Sequence, residues 1–171
     1  HTAAWKEFLS EVGEYEEQEE LSARPSPPGR RSKCARVPAE LAGELVELVR
    51  NPLGIPDELR HRVWELLINK WVGEFRDGHD EAYYYKICEV SVGPPPPDGL
   101  GKQIELDLNR TFPTNKHFHE DGRAISKLRR LLIAFVRHAP RIGYCQGFNF
   151  IAGFALIFLP EELAFWCMVT M

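Results

Sequence analysis

From Val37 onward the apolar residues of this chain return every three or four positions, and prolines stand where such runs begin or end. That period puts side chains on one face of a helix and cannot line one face of a strand. Leu41, Leu45, Leu48 and Val49 line a segment opened by Pro38, whose missing N–H is harmless in a first turn. Pro56 opens the next segment, with Leu59, Val63, Leu66, Leu67 and Trp71 as its expected buried stripe. Glu81 to Val90 reads as a shorter helix. A longer one is expected from Asp121 to His138, with Ile125, Leu128, Leu132 and Phe135 inward and Arg123, Lys127, Arg130 and Arg137 outward, stopped by Ala139 and Pro140. The apolar run Phe148 to Leu159 is 12 residues long. A spanning helix needs ~20, so the run reads as a buried core helix. Pro160, Glu161 and Glu162 start a last helix, with carboxylates at the positive end of its dipole. Gly93 to Gly101, with four consecutive prolines, reads as an extended loop. No run of alternating β-branched residues stands out, so the expected fold is all-α.

The start of the chain differs in composition. Residues 1–20 carry seven glutamates against one lysine, and Trp5, Phe8, Leu9 and Val12 share one helical face able to dock on a partner or on the domain. Ser22 to Val37 then switches to Pro, Ser, Gly and five basic residues without an acid. This reads as a flexible, solvated linker in preference to a membrane-surface patch. The expected organisation is therefore an acidic helical segment plus linker over 1–37 and a domain over 38–171. A chain of 171 residues with 44% hydrophobic content can bury one ordinary core, and a net charge of −4 gives no global basic footprint for nucleic acid. Cys34, Cys88, Cys145 and Cys167 form no CxxC pair, which favours free thiols and a cytoplasmic setting. His117 and His119 flank Phe118 with no acid or cysteine cluster at zinc-ligand spacing, so no metal site is expected.

Two segments carry candidate chemistry. In QIELDLNRTFP (Gln103 to Pro113), Ile104 and Leu108 sit four apart, while Asp107 and Arg110 sit three apart. One turn thus has a face to bury and an ion pair able to aim a guanidinium. Pro113 forces the chain out of helix, leaving Arg110 at a helix end. Taken alone, the pair reads first as an ordinary surface salt bridge worth at most ~1 kcal/mol. In IGYCQGFNF (Ile142 to Phe150), Tyr144 and Gln146 form a YxQ bracketed by Gly143 and Gly147, which permit close backbone approach. Taken alone, Gln146 reads first as a polar cap for the apolar helix that follows. Upstream, GIPDELRHRVW (Gly54 to Trp64) contributes Arg60 and Trp64 on one helix face, read as structural.

In this order, IxxDxxR (Ile104, Asp107, Arg110), YxQ and the RxxxW of Arg60 and Trp64 resemble the TBC-domain family, activators of Rab-type small GTPases. The resemblance extends through DLNRTFP, GYCQGFNFIAG and the AFW segment, and covers Gly54 to Met171; the first 50 residues match nothing nameable. It implies an irregular helical TBC domain whose C-terminal half lies beyond this sequence, behind a flexible N-terminal extension. Apolar surface around Phe165, Trp166 and Val169 is then expected to be uncovered. It also implies a catalytic activator acting in trans on a GTP-bound Rab and not an enzyme in its own right. Arg110 and Gln146 would be the two fingers, Asp107 would orient the arginine, and Tyr144 would fix the glutamine loop. GTP and Mg²⁺ would belong to the partner, the protein needing no cofactor of its own. Its location would be cytoplasmic and peripheral, at Rab-bearing membranes.

Two other functions fit parts of the chain. A helical scaffold that binds a Rab without activating it would need neither Arg110 nor Gln146. A cysteine hydrolase would use Gly143 to Gly147 as a GxCxG elbow with His138 as base. That elbow requires a strand before it, and only Arg141 and Ile142 separate it from Pro140.

Overall fold

The computed structural model describes residues 1–22, 37–80, 82–89, 99–119 and 123–171. Regular structure among these residues is entirely helical, and the chain divides into two compact units, 1–73 and 74–171. The Ser22 to Val37 linker, apart from its two end residues, and the four prolines lie outside the described residues, as does Cys34.

In the first unit, α1 (Thr2–Ser22) packs with α2 (Ala42–Arg50) and the start of α3 (Arg60–Arg76). Short 3₁₀ turns at 39–41 and 57–59 lead into α2 and α3, preceded by Pro38 and Pro56 as the sequence predicts. Trp5, Phe8 and Val12 are fully buried against Leu41, Leu45, Leu48, Val63 and Leu66, with Leu9 partly buried beside them. The apolar face of α1 is therefore seated on its own domain. The acidic side of α1 is also engaged, since Arg62 donates to both carboxylate oxygens of Glu16 at 2.8 and 2.6 Å. Two expected core residues lie elsewhere. Val49 is exposed, and Trp71 is 68% exposed. A helix turns by about 100° per residue. Val63, Leu66, Asn69 and Val72 set the buried stripe of α3, which leaves Trp71 off that line, just as Leu41, Leu45 and Leu48 leave Val49 beside theirs.

The second unit is arranged about α7 (Arg123–His138), which packs against α4 (Tyr83–Cys88), α5 (Leu100–Leu108), α6 (Lys116–His119), α8 (Phe148–Phe158) and α9 (Glu161–Val169). Its buried stripe of Leu128, Leu131, Leu132, Phe135 and Val136 explains this position, because an unbroken apolar face must be covered on every turn. Several of its expected outward arginines reach neighbours. Arg130 forks onto Glu161 at 2.8 and 2.7 Å, and Arg137 donates to the Ile87 carbonyl at 2.7 Å. The loop expected to run to Gly101 ends earlier, as Gly99 caps α5 with φ 93° and the helix begins at Leu100.

Two expectations about exposure are overturned. Phe165 and Trp166 are buried, Phe165 packing on Tyr84 and His138 and Trp166 on Tyr83 and His79. A helix that is apolar on all sides, like α9, gives no sequence signal for which side is covered. Conversely α8 is not buried throughout: Asn149, Ala152, Gly153 and Ala155 face inward while Phe150, Ile151 and Phe154 are exposed.

Candidate functional site

The last turn of α5 buries Ile104 and Leu108 as the spacing predicts, but it buries Asp107 as well. The helix stops at Leu108, and the chain turns sharply, with Thr111 N–H donating to the Leu108 carbonyl at 3.1 Å. The Thr111 hydroxyl reinforces the turn by donating to the Asp107 carbonyl at 2.7 Å. Phe112 follows in the left-handed region at φ 46°, a conformation costing a non-glycine residue roughly 1–2 kcal/mol. Its ring is held by Phe118 and Phe150 at centroid separations of 5.8 and 5.6 Å.

Arg110 leaves this turn toward solvent. Its side chain is 53% exposed and its guanidinium pairs with an Asp107 carboxylate that is 4% exposed. The Tyr144 hydroxyl donates to the other carboxylate oxygen of Asp107 at 2.5 Å. A carboxylate taken out of water demands such partners, so Asp107 fixes both groups it pairs with. Burial, and then the hydrogen bond to Asp107, push the Tyr144 phenol well above its ordinary range, which keeps it a donor.

Tyr144 stands at the base of the loop that carries Gln146. Gly143 and Gly147 have φ 69° and 109°, backbone that strains any other residue. Between them Tyr144 is turned inward, while Cys145 and Gln146 are exposed. Gly147 itself occupies the N-cap position of α8, and Gln146 lies one residue before it. The cap region is served by Asn149, whose Oδ1 accepts the Gly147 N–H at 3.1 Å and whose Nδ2 donates to the Thr111 hydroxyl at 2.8 Å. Neither Asn149 nor Thr111 stands out in the sequence. Asn149 lies inside an apolar run and Thr111 inside a turn, and only the folded chain brings them together.

The structure thus joins Arg110, Asp107, Tyr144 and the Gln146 loop in one region, with Ile104 in the core beneath. Arg60 and Trp64 belong to the first unit, where Arg60 pairs with Asp57 at 2.5 Å and donates to the Ile55 carbonyl at 3.4 Å, bracing the entry to α3. The hydrolase geometry does not appear. Ile142 to Cys145 are loop, no strand occurs among the described residues, and His138 Nδ1 is 2.8 Å from the Tyr83 hydroxyl. Among the described residues no three His, Cys, Asp or Glu side chains are grouped to hold a metal, and no helix is long and apolar enough to cross a membrane.

Comparison with known proteins establishes the family and the fold. Residues 57–171 match the Rab-GTPase-TBC domain, and the chain belongs to that family. Among its relatives are TBC1 domain family member 2B of Xenopus tropicalis, 43% identical over 128 residues, and member 2A of Homo sapiens, 44% identical over 131. These alignments take in 74% and 75% of this chain but only 13% of each relative. A crystal structure of the Chlamydomonas flagellar RabGAP TBC domain superposes with a TM-score of 0.56 at 25% identity, over 98% of this chain and 51% of that one.

Proposed function

We propose that this chain supplies the catalytic face of a GTPase-activating protein for a Rab-type small GTPase, with Arg110 and Gln146 as the groups it inserts. The observation that carries the reading is the pairing of half-exposed Arg110 with buried Asp107, whose other oxygen holds the tyrosine of the Gln146 loop. Hydrolysis of GTP places negative charge on the β–γ bridging and γ-phosphate oxygens, and a planar, permanently charged guanidinium stabilises it there. A carboxamide can accept from the attacking water and donate to a γ-phosphate oxygen; a carboxylate cannot do the second. The GTP-bound partner brings the nucleotide and its Mg²⁺, and membrane association follows from the Rab.

GTPases of this kind carry a glutamine of their own for positioning water, so Gln146 is useful only if it takes over that task. Single-turnover phosphate release tests this with wild-type or glutamine-substituted Rab against the natural full-length activator, unaltered or carrying Gln146→Ala. Stimulation is expected to survive loss of the Rab glutamine and to fall with Gln146→Ala. Stimulation that needs the Rab glutamine and ignores Gln146 would leave only the arginine half standing.

A further inference from the structure

Two connections run between the turn that carries Arg110 and the loop that carries Gln146, and only one is charged. Beside the Tyr144 to Asp107 bond lies a neutral chain in which Gly147 N–H donates to Asn149 Oδ1, Asn149 Nδ2 donates to Thr111 Oγ1, and Thr111 Oγ1 donates to the Asp107 carbonyl. The links measure 3.1, 2.8 and 2.7 Å. Asn149 and Thr111 are both buried, so water cannot replace either partner. Each hydroxyl or amide in the chain is committed in one direction, which leaves a single consistent arrangement of donors and acceptors. Space is reserved for it too. A Cβ on Gly153 would come within 2.9 Å of Thr111 Cγ2 and 3.2 Å of the Phe112 ring, so the glycine lets the arginine turn lie flat on α8.

We propose that Asn149 and Thr111 are positioning residues that hold the Gln146 loop in register with Arg110, and that they act on GTP hydrolysis through Gln146. This rests on the reading of Gln146 and Arg110 as inserted groups. It adds a function for two residues that touch neither nucleotide nor partner. A loop held at one end by Gly143 and Tyr144 and at the other by Gly147 aims its exposed side chain only while both ends are fixed. Releasing the Gly147 end frees the carboxamide to wander by distances that cost about 10²-fold in rate.

The test uses the natural full-length activator and a responsive GTP-loaded Rab, reading the saturating single-turnover rate and the Kd separately. Thr111→Val keeps the shape and removes the hydroxyl; Asn149→Ala frees Gly147 by removing the buried side-chain amide itself. Both are expected to slow the saturating rate by roughly 10- to 100-fold at little change in Kd. Thr111→Ser is expected to restore it. Combined with Gln146→Ala, either substitution is expected to add almost nothing, because the group it positions has gone. Full multiplicative losses in the double variants, or wild-type rates in both single variants, overturn the proposal while Arg110→Ala and Gln146→Ala still report on the fingers themselves. A silent Gln146→Ala with a slow Asn149→Ala sinks the glutamine assignment and this proposal together. If Thr111→Val fails to bind Rab, Asn149→Ala decides alone.

Discussion

Because Asp107 is almost out of reach of water while Arg110 is half exposed, removing one is not equivalent to removing the other. Arg110→Ala is expected to reduce stimulation by about 10³-fold or more while leaving affinity for the GTP-bound partner largely intact. Arg110→Lys should recover little, since an ammonium cannot form the guanidinium fork. Asp107→Ala should cost less, as it loosens the arginine without deleting it. Full stimulation by Arg110→Ala in a single-turnover assay removes the arginine assignment. Gly153→Ala pits two local effects against each other. Replacing a helical glycine gains up to about 1 kcal/mol of helix propensity. Overpacking against a β-branched threonine and an aromatic ring costs typically 1–3 kcal/mol. Net destabilisation in a denaturant titration, with slowed GTP hydrolysis, is expected; a more stable and fully active variant would show that the contact yields easily. At this scale the sequence shows the i,i+3 spacing of Asp107 and Arg110, because spacing is local. It does not show that Asp107 is buried, or that Asn149 meets Thr111, because those facts depend on segments 37 and 38 residues away.

Helix starts are the most legible elements, since Pro38, Pro56 and Pro160 act through their own backbone and need no distant partner. Which side of a helix is covered is a property of its neighbours, and there the periodicity misleads at Val49 and Trp71 and is mute along α9. The end of α7 shows a neighbour effect with a measurable pH dependence. His138 is enclosed by Tyr83, His79, Phe165 and Trp166. Burial, with the nearby His79 adding to it, lowers its pKa below the ordinary 6.5. The folded state therefore favours the neutral ring, and the unfolded state binds more protons just below that value. The stabilisation is complete above about pH 6.5 and is lost as pH falls through the folded pKa. Melting temperature is expected to drop on acidification from about pH 7.5 to about pH 5.5, and His138→Gln should flatten part of that slope. Parallel slopes for the two proteins would refute the assignment.

For the molecule as a whole, family membership and helical fold are legible because the motifs are short, local and correctly ordered along the chain. The division into units is not, since its boundary at Gly73 falls inside a continuous helix, where a single glycine reads as a tolerated helical residue. That division matters for the site. Arg110, Gln146 and the hydrogen bonds that tie their loops all lie within residues 74–171. The acidic α1 and the braced entry to α3 lie within residues 1–73. Changes to the surface of the earlier segment need not disturb the spacing of the arginine and the glutamine. A lineage of such chains can therefore drift at the exposed positions of residues 1–73 while the pairings among Asp107, Arg110, Tyr144, Thr111 and Asn149 are inherited unchanged.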